Sequence, residues 1–214
     1  MLLPIDVILV PRGAEYKAVC RGLSLSNSPQ PEVMPIPVGI NALTGYLTNY
    51  ELKSVVLLMG LCGSLSPQYV AGDVVICREC VTKEGSWECD RRVTSLLEER
   101  LGVAQVRGYT SDRLIWSAGE KRQLGELLQA QVVEMEGVAV LKNLPQVAIV
   151  RVVSDDCFGD IPDLTPAISA DGSLLRVKLA TTMLRNPLAA RRLVWGSFKG
   201  LHKLQLITKK IFEE

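Results

Sequence analysis

The chain has one histidine in 214 residues, His202, and it lies near the C-terminal end. A Ser-His or Cys-His pair at the heart of a catalytic site is therefore excluded unless that imidazole reaches back across the molecule. Neither GxxxxGK[ST] nor GxGxxG occurs, so bound ATP or NAD is not indicated. An excess of either charge is also lacking: 24 Lys and Arg face 23 Asp and Glu for a net charge of +1, and 48% of residues are hydrophobic, which argues against disorder and against wholesale nucleic-acid binding. There is no internal repeat and no low-complexity tract. The apolar opening MLLPIDVILVPRG lacks a basic n-region and is broken by Pro4 and Asp6. Neither a signal peptide nor a membrane span fits it, and a cytoplasmic location is expected.

Six cysteines without an export signal read as reduced thiols rather than a disulfide framework. Cys77 and Cys80 form a CxxC, with Cys89 further on, but GDVVICREC reads as a strand. Positions three apart on a strand face opposite ways, the wrong arrangement for chelation. No metal or redox cofactor is expected.

What the chain does have is alternation. The runs at 6–10, 54–59, 73–76, 131–135 and 147–153 are β-branched and nearly continuous, as in strands covered on both faces. Helical patterns lie between them at 14–23, 41–50, 91–101, 118–129 and 137–143, the fourth opened by Ser117 and Glu120 in a capping box. The length suits one domain with a sizeable core. An α/β fold around a mixed or mostly parallel sheet follows, with ligands expected at the carboxyl ends of strands.

Those ends carry charge. Glu15 follows the first strand, Ser154, Asp155 and Asp156 close the last, and VVEMEGVAV sets Glu134 and Glu136 around Met135 in a run otherwise fit for burial. An ionised carboxylate costs several kcal/mol in an apolar interior unless it is paired, hydrogen-bonded or used. From Arg185 to Lys210 there are seven Lys or Arg and no acid, while Val194, Phe198, Leu201, Leu204 and Ile211 recur near helical spacing. Two readings stand: a helix packed on the domain with a solvated basic face, or attachment to an anionic membrane surface or lipid-like substrate. Gly196 and Gly200 argue against one continuous helix.

Four segments, in order, resemble the purine and uridine phosphorylase superfamily, which includes the nucleosidases acting on methylthioadenosine and S-adenosylhomocysteine. MGLCGSLSPQYVAGDVVI resembles its glycine-rich loop, with Gly60, Leu61 and Gly63. TSDRLIWSAGEKRQLGE is similar to the segment that follows, VVEMEGVAV to its glutamate-methionine-glutamate signature, and VRVVSDD to its serine-aspartate strand end. The resemblance implies a single-domain three-layer fold with a central mixed β-sheet flanked by helices. Residues 1–184 would form the phosphorylase-like domain and 185–214 a basic amphipathic extension of it.

It implies cleavage of the bond between a nucleobase and ribose, by hydrolysis or phosphorolysis, with phosphate as co-substrate in the second case. Glu136 would accept the ribose hydroxyls and Met135 would wall the sugar. Asp155 would protonate the leaving purine and Glu15 would orient the attacking water. Leu114, Ile115 and Ser154 would line the base site. A homo-oligomer is expected by the same analogy.

The chain also departs from that pattern. Leu58 and Leu61 stand where phosphorylases hold phosphate with an arginine and a hydroxyl, leaving Arg12 or Arg113 to supply charge. Leu114 replaces the stacking aromatic. The stretch from Ser154 to Pro187 resembles the hopanoid-associated phosphorylases, which implies a purine nucleoside with an apolar 5′ substituent such as an adenosyl-lipid. The other reading is a non-catalytic nucleoside- or lipid-binding relative of the same fold.

Overall fold

The apolar runs become strands. In the computed structural model, which describes residues 3–26, 30–48, 54–164 and 183–213, the strands are β1 (Val7–Pro11), β2 (Glu32–Ile36), β3 (Val56–Ser64), β4 (Val74–Val81), β5 (Ser86–Glu88), β6 (Gln105–Thr110), β7 (Val132–Glu134) and β8 (Val147–Asp155). The helices are α1 (Ala14–Leu23), α2 (Ile40–Leu47), α3 (Arg91–Leu101), α4 (Ala118–Leu128), α5 (Gly137–Asn143) and α6 (Pro187–Phe212). The α/β class expected from sequence is the one found, with a mixed sheet flanked by helices.

The sheet does more than spread. Parallel pairing runs from β2 through β1 and β3 to β8, while β8 pairs β4 antiparallel. β4 then pairs β6, β6 pairs β7, and β7 returns antiparallel onto the end of β3. The five strands β3, β8, β4, β6 and β7 thus close a ring, with β1, β2 and β5 outside it. One buried cluster, including Leu9, Leu58, Val138 and Ile149, packs on one side of the sheet. A second, including Ile8, Met59, Val150 and Leu204, packs on the other. Both faces of β1, β3 and β8 are covered, which explains their largely apolar sequences.

The CxxC expectation fails for a local reason. The β4–β6 register steps from Cys77 opposite Val106 to Glu79 opposite Arg107, leaving Arg78 as an extra residue. This bulge turns Cys77 and Cys80 to the same side. Their sulfurs lie 3.1 Å and 3.3 Å from where a Cβ on Gly108 would sit. The hydrogen bond with Cys77, and burial, hold the Cys80 thiol well above its usual pKa, and burial does the same for Cys89. Among the described residues no group of three or more His, Cys, Asp or Glu is placed to hold a metal ion.

The tail holds the other correction. Despite Gly196 and Gly200, α6 is one helix, and Leu204, Ile207, Ile211 and Phe212 join the second core cluster. The glycines serve packing: a Cβ on Gly196 would strike the Ser154 carbonyl, and one on Gly200 would lie 2.9 Å from a Leu61 methyl. The smallest side of the helix therefore lies against the end of β8. Gly196→Ala, which meets backbone, is expected to lower stability by about 1–3 kcal/mol. Gly200→Ala meets only the end of a side chain and regains helix propensity, so it should change stability much less. Thermal melts of the two variants make the comparison.

Candidate active site

The site grows from strand ends. Helix α1 opens two residues beyond β1, so Glu15 sits in its first turn beside the middle of β3. An acid there suits the helix dipole, but the carboxylate turns inward and Glu15 Oε1 accepts the Leu61 N–H at 2.6 Å. Gly60 makes this possible. A Cβ at that position would lie 2.5 Å from Arg151 Nη1 and 2.8 Å from Glu15 Oε1, so the two charges converge over a bare stretch of backbone.

Arg151, on β8 directly opposite Gly60, is 0% exposed. Its Nη2 donates to Glu134 and, at 3.1 Å, to Glu136 Oε2. Glu134 is saturated: it also accepts the Glu136 N–H at 3.0 Å, the Gly137 N–H at 2.7 Å and the Thr110 hydroxyl. Its carboxylate ties the first turn of α5 to Arg151, a structural answer to why a charge stands there. Glu136 is less encumbered, accepting among the described residues only from Gly39 N at 3.1 Å besides Arg151. Arg151 Nε and Nη1 have no hydrogen-bond partner among the described residues.

Three carboxylates thus share one guanidinium. Burial raises Glu15 to a pKa of about 7; the Leu61 N–H opposes the shift, Glu136 adds to it and Arg151 counters it. Burial also raises Glu136, against Arg151 and with the repulsion of Glu134. For Arg151 burial disfavours charge, but Glu134, Glu136 and Glu15 more than offset it and hold the guanidinium protonated.

The Glu15 shift has a consequence for stability. Unfolded, Glu15 releases its proton near 4.5; folded, it keeps it to about 7. Between those values the folded state binds more protons, so this group's contribution to stability falls as pH rises through that window. Glu15→Gln is expected to flatten that decline, gaining relative to wild type towards the upper end. Urea midpoints measured across the window provide the check.

At the end of β8, Ser154 Oγ lies 2.7 Å from Asp155 Oδ1 and 3.2 Å from the Cys62 carbonyl. The other oxygen, Asp155 Oδ2, pairs with Lys121 Nζ, which also donates to the Asp156 carbonyl at 3.3 Å. Lys121, from α4, is completely buried. Asp156 turns the opposite way, to Arg192 of α6 at 2.7 Å, so it does not crowd Asp155.

No protein-family model and no curated protein sequence matches the chain. Solved structures do. Futalosine hydrolase of Helicobacter pylori superposes with a TM-score of 0.70 at 15% identity, covering 98% of this chain and 97% of that one. The 5′-methylthioadenosine/S-adenosylhomocysteine nucleosidase from the same organism, solved with butyl-thio-DADMe-Immucillin-A, gives 0.66 at 15% identity with 96% of each chain covered. A putative nucleosidase of that kind from Francisella philomiragia gives 0.64 at 16%, over 96% of this chain and 97% of that one. The chain has the fold of these hydrolases and nucleosidases.

Within this nucleosidase fold the residues singled out from sequence divide. Glu15, Gly60, Leu61 and Glu136 surround Arg151, while Gly63, Ser154 and Asp155 meet at the β3–β8 end, where a Cβ on Gly63 would lie 2.9 Å from Asp155 Oδ2. Met135 is half-buried, its methyl 3.9 Å from the Cβ position of Gly39. Ile115, expected to line a base site, fills the small core of Leu65, Tyr109 and Val133, while Leu114 beside it stays partly open. Arg113 is taken up by Glu120, and Arg12 is exposed with its guanidinium 5.8 Å from the Tyr46 ring. Leu58 is wholly buried.

Arg151 and Lys121 escaped the sequence reading. For Arg151 a signal existed: it is the one charge in VAIVRVV, and a cation in a doubly covered strand needs a partner as much as an anion does. Lys121 gives no such sign, since AGEKRQ reads as an ordinary polar helix start.

Proposed function

We propose that the chain cleaves the N-glycosidic bond of a purine nucleoside, with water as the acceptor. The observation that carries this is the pairing of two charge centres at the strand ends of a nucleosidase fold: Glu15 and Glu136 around Arg151, and Asp155 against Lys121. In this reading Glu136 accepts the ribose hydroxyls and Met135 walls the sugar. As the C1′–N bond breaks, its electrons pass to the base, and the Lys121–Asp155 pair delivers a proton to a ring nitrogen. The water oxygen bonds to C1′ and its proton goes to Glu15. A base that titrates at about 7 suits that task at neutral pH.

Water is favoured over phosphate because Arg113, one of the two cations expected to hold a phosphate, is paired with Glu120, and the other, Arg12, is exposed beside the Tyr46 ring. The finer reading, an apolar 5′ substituent as in an adenosyl-lipid handled by the hopanoid-associated phosphorylases, rests on the sequence from Ser154 to Pro187. Residues 165–182 of that stretch lie outside the described residues.

The test is release of free base, followed by chromatography, from methylthioadenosine, S-adenosylhomocysteine, adenosine, inosine and an adenosyl-lipid mimic, each with and without phosphate. Release without phosphate supports the proposal. Strict phosphate dependence replaces hydrolysis by phosphorolysis. Binding without release at high protein concentration favours a binding protein.

A further inference from the structure

We propose that the outward face of α6 docks on an anionic membrane surface. The helix buries Ala189, Gly196, Gly200, Leu204, Ile207 and Ile211 against the rest of the protein. On the opposite side, at helical spacing, stand Leu188, Arg191, Trp195, Phe198 and His202. Leu188, Trp195 and Phe198 are 75%, 73% and 74% exposed. Single exposed apolar side chains are ordinary on a soluble protein. Three large ones on one helical face, flanked by Val194 at 57%, form the kind of contiguous patch that marks an interaction site.

The charge on this face selects the occupant. Arg191 and Lys199 have no carboxylate partner among the described residues, and no acid occurs between Arg185 and Lys210. Aromatic and aliphatic side chains interleaved with cations are the composition of a helix lying in a headgroup region, with apolar groups entering the acyl boundary and guanidinium and ammonium groups reaching back to phosphates. A second copy is disfavoured, since a two-fold contact would set Arg191 and Lys199 against the same cations of the other copy. The helix lies on the surface rather than crossing it: no helix among the described residues is long and apolar enough to span a membrane. Its buried side is already fixed, so docking requires no rearrangement of the core.

Flotation of the full chain with phosphatidylcholine vesicles, with and without phosphatidylserine, tests this without any need for turnover, so it stands or falls separately from the nucleosidase reading. Binding is expected only with phosphatidylserine, weakening as salt is raised. The double variant Trp195→Ala/Phe198→Ala should weaken it by about tenfold or more, and Arg191→Glu/Lys199→Glu should remove the preference for phosphatidylserine. All four positions are at the surface, and thermal melts matching wild type verify the fold. A blue shift of emission on vesicle addition, lost in Trp195→Phe, places that ring in the interface. The proposal is overturned by equal binding to both vesicles, by no binding to either, or by binding that the aromatic variant leaves intact. It is equally overturned by a wild-type dimer that the aromatic variant dissociates, which makes a second copy the occupant. Binding seen only after residues 165–182 are deleted would give the face to that segment instead.

Discussion

Asp155→Asn is expected to reduce base release by about 10²–10⁴-fold, the usual worth of a positioned general acid, while the protein folds and still binds nucleoside. The amide is isosteric and can keep the contact with the Ser154 hydroxyl, so packing at the β3–β8 end is preserved. What it cannot do is pass a proton from Lys121 to a leaving base. Lys121→Met should produce a loss of the same order, because it removes the proton and leaves the carboxylate in place. Single-turnover base release against equilibrium binding separates chemistry from affinity. Equal weakening of binding and rate would instead assign Asp155 to ground-state recognition.

Arg151→Met should have the largest effect on folding. It leaves Glu15, Glu134 and Glu136 gathered without their shared cation, and removing one partner from a buried charge cluster typically costs about 3–5 kcal/mol. The methionine fills most of the volume, so the loss reports charge rather than a cavity. Its pH dependence is distinctive: Glu15 and Glu136 already have raised pKa values with Arg151 present, and without it they rise further. The variant is therefore expected to regain stability as pH falls and these carboxyls become neutral, and to lose it as pH rises through their folded values. Adding Glu134→Gln to the variant should recover part of the loss. Guanidinium denaturation at several pH values checks each statement.

The elements that could be read from sequence were those whose local pattern matched their surroundings. β1, β3 and β8 are covered on both sides and read as continuous apolar runs; α1, α3 and α5 begin and end where their patterns do. β2 was missed because EVMPI is a half-exposed edge strand carrying Pro35, and β5 because three residues make no pattern. β6, QVRGYT, mixes polar and apolar residues because its polar groups serve neighbours, as when Arg107 reaches Glu79. The acids of the site could be found because charges in apolar runs stand out, and VVEMEGVAV announced itself. Their partners could not be found so easily, since which cation meets which acid depends on register between distant strands. The face shared by Cys77 and Cys80 was likewise invisible, because a bulge is a property of the pairing and not of one strand.

The ring of strands also constrains how the protein comes to exist. β3 emerges from the ribosome long before β8, yet from Val56 to Gly63 it pairs that later strand. During synthesis, Glu15 and the bare backbone at Gly60 must wait for the strand that carries Arg151, and until then α1 and α2 give the apolar faces of β1 and β3 only part of their cover. Such long-range closure makes folding slow and leaves nascent chains prone to association. A nascent chain stalled before β8 should neither resist protease nor bind nucleoside. The charge cluster around Arg151 thus exists only once β8 has joined strands made long before it.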